Sequence, residues 1–365
     1  MGKMISFFNN KGGVGKTTSV HNFAVTLANL GKKVLIIDAD LQMNLSFSFS
    51  GIIKAPSNAS SDNVQSDLFE YDTHDISLAD ALSQFEKWNQ FKDKYLAIKE
   101  FLLRYLADTP IDKPKFRKEF GTLGGYVDII LGSVDMMSLE ADIFSASKGH
   151  SDIDHRTLRQ FQLLVDDLKN SSDYDFILLD TAPSANSAMV ALWVLLSDYF
   201  IAPVTPSVYS LQALDNLPTI ISVWMQQFNN FDAKKTIKIV VKFLGLIVQQ
   251  GRKYENSNND QKFSKATMAW VEELNKQIDK YKVYANRVNT IISSEDFESV
   301  FDFEDAKPYI IAVFYDFGVH LRTLAEQQGI PVVALPENPT SNYQIVLEKT
   351  KILYHNIADS LIKLR

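Results

Sequence analysis

The stretch Lys11-Gly12-Gly13-Val14-Gly15-Lys16-Thr17-Thr18 constrains what this chain can fold into more than any other. It follows a short apolar run at residues 4–8 and opens into a segment with helical periodicity at 20–30. Strand, glycine loop, helix is the setting in which a phosphate-binding loop works. Glycines let backbone N–H groups turn inward around an anion, and the following helix points its positive dipole end at the same place. The reading is that backbone N–H groups from Gly12, Gly13, Val14, Gly15 and Lys16 cradle the phosphates of a nucleotide. Lys16 then reaches the β- and γ-phosphates, the Thr17 hydroxyl ligates Mg²⁺, and Thr18 contacts the α-phosphate.

Two further runs end in acids. Val34-Leu35-Ile36-Ile37 reads as a buried parallel strand and leads into Asp38-Ala39-Asp40. Carboxylates at the carboxyl end of a central parallel strand lie where open α/β sheets bind ligands. Either aspartate, taken singly, also suits the cap of the next helix. Phe176-Ile177-Leu178-Leu179 ends in Asp180-Thr181-Ala182-Pro183, the Walker B arrangement, in which Asp180 holds Mg²⁺ through a water. The competing role for Asp180 is a cap on the helix expected at 187–196.

Lys11 makes the loop more specific, because an ordinary phosphate loop needs no second lysine at its start. A loop that carries one resembles the deviant Walker ATPases of the ParA/MinD group. Asp38-Ala39-Asp40-Leu41-Gln42-Met43-Asn44 is similar to that family's Asp-x-Asp-Pro-Gln-Gly-Asn motif, with Leu41 in place of proline and Met43 in place of glycine. Those two departures bear on the path of the switch loop. The resemblance implies an α/β fold of the P-loop NTPase type, a mostly parallel twisted sheet with helices on both faces. It implies ATP and Mg²⁺ as cofactors, Lys11 reaching the partner subunit's phosphates in a nucleotide-sandwich homodimer, Asp40 orienting the attacking water and Asp38 lying near Mg²⁺. Catalysis is thereby assigned to Lys11, Lys16 and Asp40, and metal binding to Thr17, Asp38 and Asp180. Gln249, taken as the residue after a strand at 237–248, and Pro336 and Asn338, in the loop after an expected closing strand at 331–335, become the candidates for contacting adenine.

Within that family the chain looks like the chromosome and plasmid partition ATPases that lack an N-terminal helix-turn-helix domain, since its loop begins at the N-terminus. Such proteins are implied to bind non-specific DNA and to hydrolyse ATP slowly when a ParB-like centromere-binding partner stimulates them. Composition sharpens the choice. The 365 residues contain no cysteine, which removes disulfides, thiolate metal sites and the cluster ligands of a nitrogenase-type iron protein. The absence of tandem phosphate loops sets aside an arsenite-pump ATPase. A net charge of −7 runs against an overall basic DNA-binding surface, leaving Lys234, Lys235, Lys238, Lys242 and the C-terminal lysines as a local patch. The longest apolar run, 188–196, is far short of the ~20 residues of a membrane span, and no leader precedes the first strand, so a cytoplasmic protein is expected. A MinD-like membrane-associated ATPase and a nucleotide-gated scaffold with negligible hydrolysis are the alternatives. The tail at 343–365 suits either a membrane anchor or, more simply, a last helix packed on the sheet.

The chain reads as one domain over 1–365 with two insertions, at 50–126 and 251–308. Within the first, 50–75 reads as a loop. Apolar positions from Leu78 to Tyr105 recur at helical spacing, as in one amphipathic helix or a pair, and 110–125 is punctuated by proline and glycine as a connector. Within the second, Met268, Trp270, Val271 and Leu274 have helical spacing. A helix is expected at 319–329 and a strand at 309–314.

Overall fold

The computed structural model describes residues 1–52, 78–107, 109–148, 152–229, 238–239, 241–251, 264–280, 310–315, 325, 330–335 and 344–364. Its strands are β1 (Lys3–Phe7), β2 (Lys33–Ala39), β3 (Phe116–Phe120), β4 (Gly125–Ile130), β5 (Phe176–Thr181), β6 (Tyr199–Val204), β7 (Lys242–Gly251) and β8 (Ile310–Tyr315). They form one sheet in the order β3-β4-β2-β5-β1-β6-β7-β8, parallel throughout except for the antiparallel pair β3–β4 at one edge. The fold is α/β and mostly parallel, as the alternation of apolar runs and helical segments requires.

Parallel central strands are buried on both faces, so they read as continuous apolar runs rather than alternating ones. β5 shows this: every residue is buried, with Ile177 and Leu179 in one core layer and Phe176 and Leu178 in the other. On the first face lie α4 (Ile98–Leu106), α5 (Met136–Ala146), α6 (Asp152–Asn170), α7 (Ala188–Leu196), α8 (Val208–Asn229) and α9 (Lys265–Asp279). On the second lie α1 (Lys16–Asn29), α2 (Asn44–Ser50) and α10 (Gln344–Ile362). The apolar run 188–196 is α7, buried on every side and capped by Ser187, whose Oγ accepts from Val190 N. No helix among the described residues is long and apolar enough to cross a membrane. The apolar face of α10 is turned into the core through Val346, Leu347, Tyr354, Ile357 and Leu361, so this tail is a packed helix.

The helical stretch from residue 78 is a pair, α3 (Leu78–Lys94) and α4, broken at Leu96–Ala97 where the chain bonds to β4's end through Leu131. Three expectations need correcting. The connector at 110–125 contains a strand, β3, whose Phe116 and Phe120 pack on the core while Arg117 and Glu119 face solvent. The glycines there make its turn, with Gly121 and Gly124 at φ 65 and 74, and Gly125 follows because a Cβ would stand 1.9 Å from the Ala28 carbonyl oxygen. The closing strand at 331–335 is instead a 3₁₀ turn, Val332–Ala334. Gln249 does not follow its strand but lies inside it, since β7 runs on to Gly251. The helix expected at 319–329 lies outside the described residues except for Ala325, as does most of the loop at 50–75.

Candidate nucleotide site

Strand register brings the acids to the loop. β5 lies between β1 and β2, so Asp180 sits opposite Phe7 on one side and Asp38 on the other. The loop leaves β1 at Phe8 and enters α1 at Lys16 through Gly13 and Gly15, both at positive φ (70 and 83) where a side chain would be strained. Ser19 closes the first turn, its Oγ donating to Gly15 O at 2.7 Å. Gln249 supports the loop from beneath. Its Nε2 donates to Ser19 Oγ at 3.0 Å, and its Cγ is 3.0 Å from where a Gly15 Cβ would stand. Its amide nitrogen is thus committed to the loop. Pro336 and Asn338 lie outside the described residues.

Lys16 is buried beneath the loop, its Nζ donating to Asn9 O at 3.3 Å and Lys11 O at 3.2 Å. Burial pulls its pKa below the ordinary lysine value, opposed by the charges of Asp180 and Asp40. Those acids are its counter-ions. Asp180 is fully buried, and neither carboxylate oxygen has a hydrogen bond of ordinary geometry, although the Thr17 hydroxyl favours its charged form. Burial, and then repulsion from Asp38, drive its pKa well up. A buried carboxylate with no hydrogen bond of ordinary geometry, beside a hydroxyl and a lysine, is a set that a divalent cation would complete, so Asp180 and Thr17 fit Mg²⁺.

Asp38 has a different commitment. Its Oδ2 accepts from Ser46 N at 2.8 Å and Ser46 Oγ at 2.6 Å, and its Oδ1 from Asp40 N at 3.2 Å. Gly132 N donates to Ser46 Oγ at 2.9 Å, tying β4's end into the same knot. Asp38 is completely buried, and burial raises its pKa to about 6 against those hydrogen bonds. It anchors the start of α2 while lying beside Asp180. Asp40 is nearly buried at the loop's flank, with Oδ1 accepting from Gln42 N at 3.0 Å. Met43 keeps a left-handed backbone, φ 56, at the N-cap of α2, the geometry a glycine would take without strain. Its side chain fills the space over Gly132, where an added Cβ would lie 2.8 Å from Met43 Cγ.

Lys11 folds back on its own chain. Its Nζ donates to Ser207 Oγ at 3.1 Å and Thr205 Oγ1 at 3.3 Å, and lies 5.5 Å from the centre of the Tyr209 ring. Burial lowers its pKa. Sequence reading missed Thr205 and Ser207, and also Ser46. The usable signal was a hydroxyl residue eight positions after Asp38, at the third residue of a helix whose first turn needs an acceptor.

A family model described as an AAA domain, AAA_31, matches residues 2–233. The chromosome partitioning protein ParA of Myxococcus xanthus is 25% identical over 233 residues, 63% of this chain and 61% of that protein. An uncharacterized Methanocaldococcus jannaschii protein, MJECL24, is 26% identical over 208 residues, 57% of this chain and 61% of its own length. The sporulation initiation inhibitor protein Soj of Bacillus subtilis is 53% identical over 55 residues, 15% of this chain and 21% of Soj. The chain therefore spans less than two thirds of the length of these curated relatives. Among solved structures, the McdA–ATP complex of Cyanothece superposes with a TM-score of 0.56 at 14% identity, covering 100% of this chain and 98% of that one, a likeness of fold. With its phosphate loop, acid-tipped strands and matching family model, the chain belongs to the AAA_31 family of AAA domains and is an ATPase-family protein of the ParA/MinD type.

Proposed function

We propose that this protein is a partition ATPase with a deviant Walker A loop, one that dimerises on ATP, binds DNA without sequence preference and hydrolyses ATP slowly until a ParB-like partner stimulates it. The observation that carries the reading is the meeting of Lys16, Thr17, Asp40 and the fully buried Asp180 at the carboxyl ends of β1, β2 and β5. Together with a bound Mg²⁺ and the second lysine, these groups can position a water and offset phosphate charge. The names of the partitioning relatives support the cellular role.

The residues divide the work. Backbone N–H groups of 12–16 cradle the phosphates, and Lys16 leaves its two carbonyl partners for the phosphate oxygens, a stronger charge-assisted contact. Thr17 and Asp180 would hold Mg²⁺, which would supply positive charge against the charge developing on the phosphates. Asp40 positions the attacking water. Lys11 leaves Thr205 and Ser207 to reach the phosphates of a partner copy, filling the place of an arginine finger. For DNA, Lys238 and Lys242 are exposed, while Lys234 and Lys235 lie outside the described residues.

The test combines ATP turnover, subunit association, and ATP-dependent retention on non-specific duplex DNA at two salt concentrations. Lys16→Ala should abolish nucleotide binding, and Asp40→Ala should hold an ATP-bound dimer that fails to turn over. Retention that needs ATP and falls with salt supports the reading. Turnover without retention would refute DNA as the surface, and wild-type turnover by Asp40→Ala would refute Asp40 as the water-positioning residue.

A further inference from the structure

The helix that follows Asp40 is too short to hold its own place. α2 has seven residues, below the ~12–15 at which an isolated helix becomes marginally stable in water. Its position is therefore set by what it packs on. Leu45 and Phe49 enter the core beside α1, and Ser48 Oγ lies 2.9 Å from His21 Nδ1.

The rest of its grip comes from the first inserted segment. The Phe47 ring lies 4.0 Å from that of Trp88 on α3, and Trp88 is only 1% exposed. Phe49 meets Phe116 of β3 edge to face at 5.9 Å, and the Lys118 ammonium lies 4.9 Å over the Phe49 ring. Behind these, Phe91 joins Trp88 at 5.7 Å and Phe116 at 4.8 Å, and Tyr95 joins Phe116 at 4.9 Å. Six rings from α2, α3, β3 and the end of α3 thus form one continuous cluster. Its other end is chemistry: Met43, the N-cap of α2, donates its N–H to the Asp40 carbonyl at 3.0 Å, and Ser46 holds Asp38.

We propose that the segment from α3 to β3 is a positioning clamp on α2, with Trp88 and Phe116 acting through Phe47 and Phe49 to place Asp40. The inference rests on Asp40 as the water-positioning residue. The phosphate loop is carried by β1 and α1, so the clamp sets the rate of hydrolysis and leaves nucleotide affinity to the loop. An aromatic pair adds to area burial by an amount that, removed, opens α2 more often without unfolding the sheet.

The experiment compares wild type, Trp88→Leu and Trp88→Phe in the full chain. Three quantities are read: amide hydrogen exchange of residues 44–50 with α7 as an internal control, affinity for a fluorescent ATP analogue, and single-turnover hydrolysis. Trp88→Leu should speed exchange at 44–50 about three- to tenfold and slow hydrolysis at least about fivefold, with affinity within about twofold. Trp88→Phe should restore most of both. Unchanged exchange at 44–50, or affinity and hydrolysis falling together, overturns the clamp. If wild type binds ATP but hydrolyses none, the ATPase reading and the clamp's effect on rate both fall, whereas hydrolysis that Trp88→Leu leaves untouched overturns the clamp alone.

Discussion

Asp180→Asn should make the nucleotide-free protein more stable while destroying its response to Mg²⁺. Two neighbouring carboxylates, Asp38 and Asp180, are completely buried, and burial raises the pKa of both. For Asp38 the shift is from 3.8 to about 6, and two units correspond to about 3 kcal/mol. The sign follows from proton binding. Between those values the folded state holds the proton more tightly than the unfolded state, so stability falls as pH rises. The penalty is absent below about pH 4 and fully present above about pH 6. Asp180 acts in the same direction and also repels Asp38. An asparagine removes that charge but leaves a buried amide with few partners, which costs about 1–3 kcal/mol. Where the charge's burial penalty outweighs the cost of the amide, the variant melts higher than wild type at pH 7.5. Calorimetry without metal or nucleotide measures it, and repeating the scan at pH 5 should shrink the gap. Adding Mg²⁺ to the nucleotide-bound protein should then raise the wild type and leave the variant where it was. A variant that melts at or below wild type at pH 7.5 would refute the claim that Asp180 is a strained, cation-awaiting carboxylate.

Two other substitutions test the scaffold. Lys118 is half-buried between Phe49 and Phe116, and burial pulls its pKa to about 8. A lysine lowered on folding opposes folding while charged, so the protein should gain stability as pH rises from about 8 toward 10.5. Lys118→Met should be the more stable at pH 7 by about 1–2 kcal/mol, allowing for the lost cation–π contact, and denaturant titrations at pH 7 and 9.5 should show the gap close. Glu140 on α5 caps α7, its carboxylate accepting from Ala188 N at 2.6 Å, Ser187 Oγ at 2.7 Å and Met189 N at 3.2 Å. Glu140→Ala should lower stability by about 1–2 kcal/mol, read as a fall in the urea midpoint with an unchanged slope.

Much of the site was legible because its chemistry is local in sequence. A glycine loop between strand and helix, and acids at the ends of apolar runs, put Asp38 and Asp180 on neighbouring strands beside the helix start that carries Lys16 and Thr17. What could not be read was each side chain's engagement. Nothing near Gln249 says that it sits under Gly15, because the two are brought together only when β7 joins the sheet. Asp38 is tied up by Ser46 in the first turn of α2, a matter of helix start rather than residue type. β3 was missed because Arg117, Lys118 and Glu119 dilute its apolar alternation and the flanking glycines resemble a loop. Arg117 is explained only by the fold, where it pairs with buried Asp128 at 2.7 and 2.8 Å.

That short strand has a consequence for how copies of the protein meet one another. It forms one end of the sheet, and an end strand with a bare row of backbone N–H and C=O groups is a template on which a second sheet can grow. Among its five residues three are charged, and its antiparallel run breaks the parallel order of its neighbours. Copies crowded together are thereby discouraged from continuing the sheet into a fibre. Replacing Arg117, Lys118 and Glu119 with threonine would keep the strand and remove that protection against aggregation.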